Sequence, residues 1–71
     1  MRMKALDLKT VGDGQHLKFK ANGIDAIAFS FGALIKELHE GHFVDLAYYL
    51  EIDSFNGVEK LQLKVLDIIP S

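Results

Sequence analysis

His16-Leu17-Lys18-Phe19-Lys20-Ala21-Asn22-Gly23-Ile24-Asp25-Ala26-Ile27-Ala28-Phe29 is the stretch on which the fold turns. Leu17, Phe19 and Ala21 alternate with His16, Lys18 and Lys20, the period of two that places successive side chains on opposite faces of a strand. Asn22-Gly23 follows at once. A type I′ turn needs positive φ at both central residues, and Asn-Gly supplies it at little cost. A two-residue turn here opposes Ala21 to Ile24, Phe19 to Ala26 and Leu17 to Ala28, all apolar or small. The other face opposes Lys20 to Asp25, a favourable charge pair, Lys18 to Ile27 and His16 to Phe29. A one-residue slip would turn every apolar side chain outward, so the register is specified. These are strands 2 (16–21) and 3 (24–29).

The same device recurs at Asn56-Gly57. From His42 to Ile52 the faces separate into Val44, Leu46, Tyr48, Leu50 and Ile52 against Phe43, Asp45, Ala47, Tyr49 and Glu51, which predicts a long strand 4 with the first set inward. Strand 5 is expected from Lys60 to Ile68. The turn opposes Ile52 to Leu61, Leu50 to Leu63 and Tyr48 to Val65, with Asp53 to Lys60, Glu51 to Gln62 and Tyr49 to Lys64 outside. Leu66 and Ile68 fall on the wrong parity, which either a β-bulge or the strand's end explains. Pro70 suits a strand exit.

Working outward, Met3 to Val11 alternates loosely and forms strand 1, with Leu6 and Leu8 on one face and Asp7 and Lys9 on the other, until Gly12-Asp13-Gly14 breaks it. Between strands 3 and 4, Ser30 is placed to cap a short helix of about two turns, in which Phe31, Leu34, Ile35 and Leu38 share a face and Gly41 ends the run. The order strand, strand, strand, helix, strand, strand predicts a mainly β, five-stranded OB-type barrel with the helix over an open end. Closure also removes the edges that a small sheet would expose. An open α+β sheet with the helix packed across it is the alternative.

At 71 residues the chain has room for one domain, spanning residues 1–71. It has no Cys, so neither a disulfide nor a thiolate zinc site stabilises it, which suits a reducing, cytoplasmic setting. Its longest uncharged run, Ala26 to Ile35, is far short of the ~20 residues that span a bilayer, and the amino terminus carries no secretory pattern, so no membrane role is expected. The formal net charge is −2, so any nucleic-acid contact rests on a local patch and not on a global positive field.

Catalytic groups are thin. His39-Glu40-Gly41-His42 lacks the i, i+4 spacing on a continuous helix that a zinc site of this type needs, because Gly41 interrupts it. The carboxylates are scattered, and Gly12-Asp13-Gly14 leads into a strand without the Lys of a phosphate loop. No catalytic residue, metal ligand or cofactor is assigned. Binding is better supported: single-strand binders set Lys along a groove with aromatic rings on which bases stack, usually on strands 2 and 3 of an OB barrel and the adjoining loops. The candidates are His16, Lys18, Lys20, Ile27 and Phe29 on that surface, Phe55 and Asn56 at the second hairpin's tip, and Lys60 and Lys64 on strand 5. Phe29 lies either under the helix or free for stacking.

Ile24-Asp25-Ala26-Ile27-Ala28-Phe29, Val44-Asp45-Leu46-Ala47 and above all Leu50-Glu51-Ile52-Asp53-Ser54-Phe55-Asn56-Gly57 with Leu61-Gln62-Leu63 resemble the OB module of RecJ, the single-stranded-DNA-specific exonucleases. The resemblance takes in His16-Leu17-Lys18 as well. It implies a fragment of a larger 5′-to-3′ exonuclease of DNA repair and recombination, whose partners are single-stranded DNA and the enzyme's other domains. The family's metal-binding Asp-His-His motif is absent, so divalent metal belongs to the catalytic domains of such a parent and this fragment is no enzyme. Val58-Glu59-Lys60 stands where the family often has Arg, and Asp53 where it often has Asn. A barrel that only fixes neighbouring domains or binds protein is the second functional reading.

Overall fold

The computed structural model describes residues 2–70, apart from the side chain of Phe55. Five strands follow in order: β1 (Arg2–Val11), β2 (His16–Ala21), β3 (Ile24–Ala28), β4 (Phe43–Phe55) and β5 (Val58–Pro70). They close into a barrel in the order β1-β2-β3-β5-β4. Closure comes from antiparallel pairing of Arg2, Met3 and Lys4 with Asp45, Val44 and Phe43, and from parallel pairing of Asp25, Ile27 and their neighbours with Gln62 to Lys64. The open α+β sheet is thereby excluded.

Both hairpins have the register read from the sequence. Ala21 pairs with Ile24, Lys20 with Asp25, Phe19 with Ala26 and Leu17 with Ala28. Ile52 pairs with Leu61, Leu50 with Leu63 and Tyr48 with Val65. The turns have positive φ at both central residues, +53° and +75° at Asn22-Gly23 and +50° and +75° at Asn56-Gly57. The parity change near Leu66 is a bulge: Tyr48 faces Val65 while Ala47 faces Asp67, and the extra residue, Leu66, is pushed outward.

A second bulge corrects the reading of β1. Register shifts between Leu6 and Lys9, and Asp7 sits at φ +54°, so Met3 and Ala5 point inward, Leu6 outward, and Leu8 returns to pack against the core. Leu6 and Leu8 therefore do not share a face. The bulge is held by Glu40, whose carboxylate accepts from the amides of Asp7 (2.8 Å) and Leu8 (3.2 Å).

The interior is filled by Leu17, Phe19, Val44 and Leu63 against small partners, Ala5, Ala21, Ala26 and Ala28. Large and small side chains alternate across the barrel as its narrow bore requires. The segment over one end is a 3-10 turn, Gly32–Lys36, not the expected two-turn helix. Ser30 does not cap it: Ser30 is left-handed (φ +67°) and its amide donates to His16 Nδ1 at 3.0 Å. Phe31, Leu34, Ile35 and Leu38 nonetheless reach the core, so the apolar spacing was right and the hydrogen-bonding pattern was not.

β4 and β5 run past the barrel. β3 pairs with β5 only at Gln62, Leu63 and Lys64, and β1 pairs with β4 only at Phe43 to Asp45. From Ile52 to Leu61 the hairpin is paired only with itself, an arm whose inward-parity residues Leu50, Ile52 and Leu61 are 57, 64 and 54% exposed. Val44 and Leu46 are core residues as expected, whereas Leu50 and Ile52 are not: the strand keeps its parity after the barrel beneath it has ended.

Candidate nucleic-acid interface

One rung of the barrel's outer face crosses all five strands. Lys9 pairs with Lys18, Lys18 with Ile27, Ile27 with Lys64 and Lys64 with Tyr49. At the usual spacing between strands this row is about 19 Å long. Lys18, Ile27 and Lys64 sit at outward positions because their neighbours, Leu17, Phe19, Ala26, Ala28, Leu63 and Val65, are buried, and Lys9 and Tyr49 are themselves exposed. The result is three lysines interleaved with one aliphatic and one aromatic side chain on a closed, rigid sheet.

Lys64 lies between two rings, its Nζ 5.6 Å from the centroid of Phe29 and 5.6 Å from that of Tyr49. Hydrogen bonding and charge interaction with Tyr49, joined by the charge of Glu51, hold its ammonium pKa above the ordinary lysine value. Phe29 is 47% exposed and Tyr49 44%, so both rings are open to a stacking partner. Of the two positions the sequence allowed for Phe29, the exposed one is found.

His16 fixes that ring from behind. Its imidazole meets Phe29 edge-to-face, with centroids 5.1 Å apart and planes at 76°, while its Nδ1 accepts from the Ser30 amide. That bond holds the chain reversal that turns Phe29 out of β3. Gly12 packs on the other side of the imidazole, where a Cβ would stand 2.8 Å from Cδ2, and Gly12 is itself at φ +63°. His16 is thus a support for Phe29, a role the alternating pattern did not reveal.

The remaining expected residues lie toward the arm. Lys20 is on the next rung, which continues through Asp25, Gln62 and Glu51 and is mixed in charge. Lys60 faces Asp53 across the arm. Lys60 and Asp53, together with Lys18, Asp25, Gln62 and Asn56, line an open groove of about 380 Å³ between the sheet and the arm. This groove carries carboxylates as well as ammonium groups, so its field is weaker than that of the lysine row. Phe55 closes β4, but its side chain lies outside the described residues. Lys9 and Tyr49 complete the row and were not among the expected contacts. Tyr49 was legible as outward-facing opposite Lys64, and Lys9 could have been placed opposite Lys18 only by knowing that the loop between β1 and β2 has four residues.

His39 and His42 stack, with centroids 6.2 Å apart, and the intervening Glu40 is engaged by the β1 bulge. Among the described residues no group of three His, Cys, Asp or Glu side chains is placed to hold a metal ion.

A closed five-stranded barrel of this strand order, with a loop segment over one end and a basic, aromatic-lined outer face, defines an OB-type module. The family model described as the RecJ OB domain matches residues 1–67, and the chain belongs to that family. Two solved structures agree in fold: RecJ of Thermus thermophilus in complex with Mn²⁺ (TM-score 0.76) and in complex with Mg²⁺ (TM-score 0.75), each at 22% identity over 96% of this chain. The chain spans 10% of the length of either. No curated protein sequence matches it significantly.

Proposed function

We propose that this chain is the single-stranded-DNA-binding module of a RecJ-like 5′-to-3′ exonuclease acting in DNA repair and recombination, and that it contributes grip and no chemistry. The observation that carries this reading is the row Lys9, Lys18, Ile27, Lys64, Tyr49 with Phe29 beside it. A single strand laid across the strands of the sheet sets its phosphates against the three ammonium groups and its bases against Tyr49 and Phe29, the combination by which such barrels bind without reading sequence. The bordering carboxylates of Asp25, Glu51 and Asp53 disfavour a path out along the arm.

The test is a titration of fluorescent oligothymidine at two salt concentrations. Binding that weakens with added salt, and falls about fivefold or more on Lys18→Ala or Phe29→Ala, supports the reading. No binding at low salt would overturn it for this chain.

A further inference from the structure

Ten large apolar side chains are substantially exposed among the described residues, and three of them adjoin on one face of the arm. Leu50 pairs with Leu63 and Ile52 with Leu61, so Leu50, Ile52 and Leu61 form a continuous strip leading out from the buried Leu63. Asp53, Lys60 and Gln62, which line the groove, have the opposite parity, and of the strip only Leu61 also borders that groove. The strip ends at the pair Ser54 and Glu59.

A two-stranded ribbon standing clear of its sheet is marginal in water, so one with an apolar face gains stability from a partner that covers it. The barrel leaves the strip uncovered: its sheet pairing with β5 ends at Gln62, and Leu50, Ile52 and Leu61 all stay more than half exposed. Nor does a nucleic-acid strand fit: the strip carries no cation, Lys60 and Lys64 lie on the reverse face, and the Glu59 carboxylate at the end would repel phosphate. What fits is apolar protein surface with a basic rim to meet Glu59. Three partly exposed side chains offer a few hundred Å² at most, on the order of the patches of ordinary monomers, against the ~800 Å² per partner of a stable complex between free chains. So small a contact is effective only when the partner is tethered at high effective concentration. The RecJ chains matched in structure are about ten times longer than the matched region, and so carry other domains within tether range.

Resting on the reading above that this chain works within a RecJ-type polypeptide, we propose that the Leu50, Ile52, Leu61 face of the arm docks on an apolar, basic-rimmed surface of another domain of that polypeptide. Docking holds the arm rigid while Asp53, Lys60 and Gln62 on the reverse face stay open to the groove.

The experiment compares hydrogen exchange of the amides of residues 52–61 in the full-length polypeptide and in the 71-residue chain. The expected result is protection about tenfold or more higher in the full-length polypeptide, abolished there by Ile52→Thr with Leu61→Thr, a polar pair that suits a strand, and unchanged by Lys18→Ala with Lys64→Ala. Because Ile52 and Leu61 are exposed and threonine suits a strand, the double threonine variant keeps the unfolding midpoint of the 71-residue chain, which separates loss of docking from loss of fold. Equal exchange in the two forms, or protection that survives the double threonine substitution, would overturn the proposal. Protection that rises with concentration in the 71-residue chain alone would assign the face to a second copy and overturn it too. Oligothymidine titration of the same samples tests the DNA-binding reading separately: lost DNA binding with intact arm protection would sink that reading and leave this one standing.

Discussion

His16 links three features that the sequence keeps apart: the loop after β1, the reversal after β3 and the exposed ring of Phe29. Replacing Phe29 by Ala removes a stacking surface worth about 1–3 kcal/mol per base. His16→Ala removes the ring's support and the acceptor for Ser30, and oligothymidine affinity should fall about fivefold, the equivalent of one ordinary hydrogen bond. Because both substitutions act on the same ring, the double variant should bind hardly more weakly than Phe29→Ala alone, which fluorescence anisotropy on the four proteins of the cycle checks. Gly32 is equally constrained, for a different reason: its amide donates to the Gln15 carbonyl at 3.0 Å, and a Cβ there would fall on the Gly14 carbonyl oxygen. Neither partner is a flexible side chain, so Gly32→Ala should cost roughly 3 kcal/mol or more, seen as a large drop in the urea midpoint. Lys64 bears on pH. Its pKa is raised in the folded chain, so what its charge contributes is complete below the unfolded value and is lost only as pH rises through the folded one. That window lies above the ordinary lysine pKa of about 10.4, and titration of Lys64 should leave oligothymidine binding unchanged between about pH 7 and 9.

The elements differ in how far local chemistry determines them. β2, β3 and the β4–β5 hairpin were legible because each Asn-Gly turn fixes a register that the flanking apolar residues then confirm, Phe19 against Ala26 and Leu50 against Leu63. β1 was not, because its bulge at Asp7 depends on Glu40, more than thirty positions away, accepting from two backbone amides. No local pattern announces such a partner. Glu40→Ala should therefore destabilise the barrel by about 1 kcal/mol, the modest net value of exposed hydrogen bonds, and lower the melting temperature of so small a domain by roughly 4–8 °C. Glu40→Gln, which keeps one acceptor, should lose less, and differential scanning calorimetry of the two variants separates them. The 3-10 turn was misread for a related reason: Phe31, Leu34, Ile35 and Leu38 have helical spacing, but the tie between Ser30 and His16 and the approach of Gly32 to the β1–β2 loop leave no room to wind a longer helix. In the arm, alternation gave the correct parity and the wrong burial, since period two says which face a residue is on and not how far the barrel beneath extends.

For the whole molecule, the decisive fact is that a net charge of −2 coexists with a three-lysine row. The β1–β2 hairpin sets Lys9 beside Lys18, and the parallel pairing of β3 with β5 brings the sequence-distant Lys64 onto the same rung. Of the acidic residues, Asp25 and Glu51 lie on the next rung, Asp53 on the arm, and Asp7 at the β1 bulge, where it lines a hollow with Lys9 and Lys18. The row's three lysines were not equally legible: Lys18 and Lys64 follow from the hairpin registers, and Lys9 requires the length of the β1–β2 loop. If the row is the phosphate track, the number of its cations sets the response to salt. Neutralising three phosphates on a single strand gives a slope of log K against log salt concentration of about −2. Removing any one lysine should reduce that slope by about 0.7, and Lys9→Ala should do so as fully as Lys18→Ala or Lys64→Ala. Lys36, on the 3-10 turn and away from the row, serves as the control, and Lys36→Ala should leave the slope unaltered. Anisotropy titrations across a salt series decide it: a slope unchanged by Lys9→Ala would remove β1 from the track and confine contact to β2, β3 and β5.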